Sequence, residues 1–317
     1  MKYRKLGKTG IEISTLAMGG HEYLPNHLSR GFNEDFEKAI TPGYIFPGFG
    51  GPRRKEILKK AFDLGINYFD VTHDSEKEAL GRNFSELGVP YEVYVQTRPE
   101  GMCYTYDEFN MKMAKYDLLK DEAARILKLL GRERIDFFNL AFMKSALDHD
   151  PEYLEKMKYN IGMLKKEGLV RFVCADTFSG ESTYLAQIGT DAFDVVYMNF
   201  NFADCGGERK VLKAAEDHDM CVIDREAFMK GALFHMAEEA GITDKSALAY
   251  AAMKWVYSHK QVATIVYGTN SADHLATAAK VMDEPDLTDR DNGLLEQIRN
   301  TKLFKEYYEK KQKEYFG

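Results

Sequence analysis

Residues 123–140 read AARILKLLGRERIDFFNL. Ala123, Leu127 and Leu130 recur at helical spacing, and Gly131 stands where a left-handed residue commonly ends a helix. The run Asp136–Leu140 that follows is short and centred on apolar residues, which suits a strand covered by helices. The same helix, glycine stop and strand recur on both sides. Downstream, Tyr153, Leu154, Met157, Ile161 and Leu164 form a helical face, Gly168 the stop and Arg171–Ala175 the strand. Upstream, Ile57, Leu58, Ala61 and Phe62 precede Gly65 and Asn67–Val71. With Ser14–Met18, Tyr91–Thr97, Asp194–Met198, Met220–Ile223 and Ala263–Tyr267, the candidate strands number eight. Eight strands alternating with helices predict an α/β fold, a closed (β/α)8 TIM barrel. An open doubly wound sheet is the rival, and no GxGxxG follows the first strand to support it.

Three segments lie outside this alternation. Lys8-Thr9-Gly10 between short β-like pieces predicts an N-terminal hairpin before the barrel. Residues His21–Pro52 form a long loop after the first strand, with Tyr44, Phe46 and Phe49 among prolines and glycines. It leaves the strand end at which barrel enzymes act, so we expect it to cover or line the site. Asn292–Phe316 reads as a charged helical tail with Leu294, Leu295, Ile298, Leu303, Tyr307 and Tyr308 available for packing. No linker or tandem repeat interrupts the chain, so residues 1–317 are read as one barrel domain.

Among the 317 residues, 43 basic and 50 acidic side chains give a net charge of −7. Polyanion binding rests on a strongly basic surface, so no nucleic-acid partner is expected. The absence of an 18-residue apolar run argues against a membrane span, and MKYRKLGKTGIEIS turns polar before a signal-peptide core could form. Cys103, Cys174, Cys205 and Cys221 are too widely spaced for a metal cluster and read as free thiols in a reducing, cytoplasmic compartment. Cys174, within a predicted strand, is read as core.

Several motifs, in order, carry a family resemblance. These are YRKLGKTGIEISTLAMGG at the start, Gly65-Ile66-Asn67-Tyr68-Phe69-Asp70 with Ser75-Glu76 and Leu80-Gly81, Arg134-Ile135-Asp136-Phe137-Phe138, and Lys254-Trp255 followed by Val262 to Gly268-Thr269-Asn270. Over nearly its whole length the chain resembles the aldo/keto reductase family. That resemblance implies an NAD(P)-dependent carbonyl reductase, with the cofactor across the barrel mouth and an Asp, Tyr, Lys, His catalytic set. Asp70 matches the aspartate. The segment Asp70–Glu76 is about two residues shorter than the family pattern and lacks the tyrosine. Arg98 stands at the lysine position and Ala141 at the histidine position. The resemblance therefore points to a divergent member.

Carbonyl reduction needs a proton donor and donors that polarise the oxygen. Alanine supplies neither, and arginine stabilises charge without giving up its proton. Histidine is the residue type able to exchange a proton near neutral pH, so His73 is the candidate substitute donor, with Asp70 and Arg98 as its expected neighbours. His21 and Glu22 follow the first strand and are candidates to enter the same mouth. Asp176, Tyr197, Asp224 and Glu226 are candidate substrate-binding residues, by ionic networking or hydrogen bonds to a polar ligand; a metal there has poor support. Against the family pattern, Asp176-Thr177 replaces Ser-Asn, Tyr197 replaces a glutamine, and Arg225 stands near the position of a ring-stacking aromatic. The turn Gly268-Thr269-Asn270 leading to His274 keeps the family's entry into its adenosine-binding helix, whose N-terminus can take an anion. Arg225, Gly268, Thr269, Asn270 and His274 are thus the candidate cofactor contacts. No NADP-type basic reader is evident, which favours NAD or no cofactor over NADP. The resulting expectation is a diverged oxidoreductase acting on a small polar carbonyl or hydroxyl compound, a sugar among the candidates. A non-redox barrel enzyme on a polar substrate and a noncatalytic sensor or interaction protein are the alternatives.

Overall fold

The computed structural model describes residues 1–26 and 28–316. A hairpin of β1 (Tyr3–Lys5) and β2 (Glu12–Ser14) comes first, antiparallel and turned through Gly7–Thr9. Eight strands then close into a parallel barrel: β3 (Leu16–Gly19), β4 (Tyr68–Asp70), β5 (Tyr94–Thr97), β6 (Ile135–Ala141), β7 (Val170–Asp176), β8 (Val195–Asn199), β9 (Val222–Arg225) and β10 (Val262–Tyr267). They follow one another around the ring in chain order, and β10 pairs with β3 to close it. Each predicted strand has its counterpart, with ends displaced by up to three residues, some shorter and some longer than read. Tyr91 stays out of β5, and its hydroxyl bonds the carbonyls of Phe62 and Ile66, tying it to the end of the helix Pro52–Asp63. Ser14 and Thr15 likewise precede β3, Ser14 being the end of the hairpin.

Strand alternation sorts the side chains. Ala17, Tyr68, Tyr94, Phe137, Cys174, Val195, Tyr197 and Ile223 pack inside the barrel over Leu6, Ile11 and Ile13 of the hairpin. Phe69, Val95, Phe138, Val173, Val196 and Val222 pack outward under the helices. Parity then carries Asp70, Gln96, Asn139, Asp176 and Arg225 inward, above that apolar floor. Helix ends behave as read: Gly131 closes the helix Tyr116–Leu130 at φ 61°, in the left-handed region.

The long loop folds over the start of the helix Asp74–Leu87. Phe46 and Phe49 are buried with Ala39 and Ala79. Gly43 and Phe46 donate backbone N–H bonds to Asp74 (2.6 Å) and Ser75 (2.8 Å). The tail forms the helices Asp289–Arg299 and Lys302–Phe316. Leu295, Ile298 and Phe304 pack on Phe202, Met229 and Leu233, whereas Leu303 and Tyr308 stay exposed. Among the described residues, no helix is long and apolar enough to cross a membrane.

Candidate functional site

Three polar groups gather at the C-terminal ends of the strands. The first centres on Asp70. Its Oδ1 accepts from Gln96 Nε2 and its Oδ2 from the Tyr197 hydroxyl, both at 3.0 Å. The Tyr68 hydroxyl in turn donates to Gln96 Oε1, so the chain of bonds runs down to the barrel floor. Burial pushes the Asp70 carboxyl from 3.8 up to about 6, with Glu76 adding to the rise; His21, the Tyr197 hydrogen bond and Arg98 pull against it.

The second group is built on Glu76, in the first turn of the helix Asp74–Leu87. One oxygen contacts His21 Nδ1 at 2.7 Å and His73 Nε2 at 3.1 Å. The other accepts from the backbone N–H and hydroxyl of Thr72, at 2.8 and 2.9 Å. Although burial opposes ionisation, the two imidazoles hold the Glu76 carboxyl well below its usual range. For His21, burial works to lower the pKa, and the Glu76 contact outweighs it and raises it above the ordinary value.

The two histidines are placed differently. The His21 side chain is 36% exposed and that of His73 is 1% exposed. Phe32 and Phe49 meet the His73 ring edge-on with centroids at 5.1 Å, and Phe46 lies at 6.3 Å. Gly31 closes the cage: at φ 74°, a Cβ there would come within 2.7 Å of His73 Nε2. The expected donor therefore stands one carboxylate back from the mouth, and His21 is the histidine that reaches it. The loop covers the site on this side, as read from its position in the chain.

The third group is a saturated ion pair. Arg225 grips Asp176 with two bonds, Nη1 to Oδ2 at 2.8 Å and Nη2 to Oδ1 at 2.7 Å. Asp176 also accepts from the Tyr104 hydroxyl at 2.6 Å and Asn139 Nδ2 at 2.8 Å. The Arg225 guanidinium lies over Tyr197 at 4.6 Å and Phe178 at 4.9 Å. Tyr104 enters on a strained left-handed backbone, φ 52°, with its N–H bonded to the carbonyl of Ala141. Beside this group a cavity of about 360 Å³ runs under the tail helix, lined by Phe178, Asn199, Asp204, Lys230, Lys311 and Tyr315.

Arg98 extends from the end of β5 into the same mouth, 7% exposed. Its guanidinium lies 5.2–5.5 Å from the ring centres of Tyr104, Tyr106 and Phe32.

Asp224 and Glu226 are not brought to the mouth. Asp224 has the outward parity of Val222 and accepts from the Phe200 backbone N–H at 3.0 Å, and burial raises its pKa well above the usual range. Glu226 pairs with Lys230 at 3.2 Å on the cavity side. Glu76 and Gln96 belong to the site without having been singled out. For Glu76 a signal existed, since it lies three residues from His73 on one helical turn. For Gln96 the inward parity of β5 would have served. Tyr104 comes from an irregular loop, where the sequence leaves open whether it approaches a substrate or covers the rim. Among the described residues, no group of three or more His, Cys, Asp or Glu side chains could hold a metal ion.

A dinucleotide would need free hydrogen-bonding groups at both ends of the mouth. At the β10 end the helix Ala272–Asp283 offers its N-terminus, capped by Ser271 through the N–H of His274, and Arg53 donates to the Asn270 carbonyl at 2.6 Å. Yet the Tyr23 hydroxyl lies against Gly268, and both ends of the Asn270 amide are bonded to the backbone of Tyr23. At the other end the oxygens of Asp176 are taken by Arg225, Tyr104 and Asn139. As arranged, these residues do not fit a nicotinamide ring.

The model of the aldo/keto reductase family matches residues 51–300. No curated protein matches the chain. The holo form of an aldo-keto reductase from Bacillus halodurans is similar at 16% identity and a TM-score of 0.68, over 94% of this chain and 96% of that one. A protein from Pseudomonas aeruginosa described as an aldo-keto reductase is similar at 20% identity and a TM-score of 0.62, over 89% and 94%. At these identities the two structures share the fold.

Proposed function

Because the chain belongs to the aldo/keto reductase family, we propose that it is a diverged enzyme of that oxidoreductase type. It acts on a small polar carbonyl or hydroxyl compound at the barrel mouth, with a histidine–glutamate pair in place of the family's tyrosine. The observation that carries the reading is the 2.7 Å contact between half-open His21 and buried Glu76, beside Asp70. A protonated His21 gives its proton to a developing alkoxide, and a neutral His21 takes one from a hydroxyl. Glu76 stabilises the charged ring, and His73 and Thr72 fix Glu76 from behind. Arg98 supplies positive potential for charge developing on the substrate oxygen. The family's lysine and histidine are replaced by Arg98 and Ala141.

In the oxidoreductase reading NAD or NADP would supply the hydride, and the residues present would admit it only with Arg225 released from Asp176. The Arg225–Asp176 pair favours a second reading, cofactor-free proton chemistry such as isomerisation on the same class of substrate. Titrating NADH and NADPH into the protein, followed by nicotinamide fluorescence and binding heat, separates the two. Saturable one-to-one binding by the wild type or by Arg225→Ala supports the redox reading; binding by neither refutes it. Deuterium uptake from heavy water into a bound hydroxy or oxo compound, read by NMR, then tests the second. Turnover or exchange that survives His21→Gln undiminished would sink the role given to His21 in both.

A further inference from the structure

We propose that Arg98 is a carboxylate receptor, so that the compound held at this mouth is a small hydroxy or oxo carboxylate. The proposal rests on the reading above of the mouth as a substrate site. Among the described residues, Arg98 has no carboxylate within ion-pair distance and makes one long hydrogen bond, 3.5 Å to the Tyr106 hydroxyl. Its Nε is buried without a partner. Of the other buried cations, Arg54 donates to the Gly19 carbonyl at 2.8 Å, away from the rings around Arg98, and Arg225 and Lys77 are matched by carboxylates. Arg225 has both oxygens of Asp176, and Lys77 has Asp74 at 3.0 Å and Glu100 at 3.1 Å.

The three aromatic rings around Arg98 attract its charge, but ring faces leave the in-plane N–H groups unsatisfied. A guanidinium removed from water lacks its strongest stabiliser, a carboxylate accepting two parallel N–H bonds. Asp70 does not fill that role, because its oxygens are held by Gln96 and Tyr197. One unmatched guanidinium balances one monoanion, whereas a phosphate dianion would leave excess charge in the same enclosure. Arg98 and His21 both pack on Phe32, at 5.5 and 5.8 Å from its ring centre, which places them on one side of the mouth. A ligand anchored at Arg98 by its carboxylate thus presents a neighbouring carbonyl or hydroxyl toward His21.

Matched probes test this by calorimetry on the full chain: pyruvate against hydroxyacetone, and glucuronate against glucose. The wild type is expected to bind the anion of at least one pair about tenfold more tightly or better. Arg98→Met abolishes the preference. Should that variant not fold, Arg98→Lys keeps the charge and loses the fork, and weakens the anion while leaving the neutral probe unchanged. No preference in either pair, or a preference that survives Arg98→Met or is unaltered in Arg98→Lys, overturns the proposal. His21→Gln retains the anion preference whether or not His21 exchanges protons, so failure of the carboxylate site and failure of the histidine's role are read separately.

Discussion

Replacing Asp70 by asparagine should make the protein more stable at pH 8 and leave its stability nearly unchanged near pH 4. The carboxyl is 7% exposed, and burial holds its pKa at about 6 against 3.8. A native pKa above the unfolded one means that the folded state binds the proton more tightly. Below 3.8 the group is protonated in both states and contributes nothing. As pH rises through the window from 3.8 to about 6, stability falls, and above it the full displacement applies, about 3 kcal/mol. Asparagine removes the charge and keeps the shape. Its oxygen can still accept from Gln96 Nε2, and its amide can donate to Tyr197 once that hydroxyl turns to act as acceptor. The gain at pH 8 is then about 1–3 kcal/mol, the lower figure allowing for imperfect hydrogen bonds. Urea unfolding of wild type and Asp70→Asn between pH 4 and 8 measures it, because other titrating groups cancel in the difference. A difference flat with pH, or a variant less stable than wild type at pH 8, would refute the reasoning. Proton exchange should fall in the same variant, since a charged Asp70 favours the protonated form of His21.

Other substitutions probe the supporting structure. Glu76→Gln leaves His21 its burial without the compensating charge, so its titration midpoint drops, read from the imidazole C–H resonances; a rise would contradict the assignment. Lys77→Met strips the fully buried Glu100 of its only ion-pair partner among the described residues and costs about 3–5 kcal/mol in urea unfolding at pH 7. Gly180→Ala places a Cβ on the carbonyl of Tyr315 at a left-handed φ of 75°. We expect a loss of about 1–3 kcal/mol and faster amide exchange at the end of the helix Lys302–Phe316. Unchanged exchange there would show that the helix end does not depend on this contact.

Much of the barrel was legible because strand and helix periodicity are local. The units around Gly131 and Gly168 announce a covered strand after each amphipathic face, and chain order does the rest. The hairpin at Lys8-Thr9-Gly10 and the helical tail were legible for the same reason. Parity within a strand also ranks side chains as inward or outward, which separates Asp70, Asp176 and Arg225 from Asp224. The site itself was only partly legible. Asp70, Arg98, His21, Asp176, Tyr197 and Arg225 were found as residue types at strand ends, but not how they pair.

Pairing was decided by the tertiary structure, because it depends on which loops close over the mouth. His73 and His21 look equivalent in sequence, each just past a strand. The packing of Gly31, Phe32, Phe46 and Phe49 seals one and leaves the other open. Asp176 and Arg225 lie 49 residues apart and become one bidentate pair only when β7, β8 and β9 stand side by side. Arg98 is left without a carboxylate for the same non-local reason. The sequence by itself thus determined the barrel and the polarity of its mouth, through periodicity that any short stretch carries. Only the tertiary structure decided which charges are matched, which histidine meets solvent and which guanidinium remains unmatched.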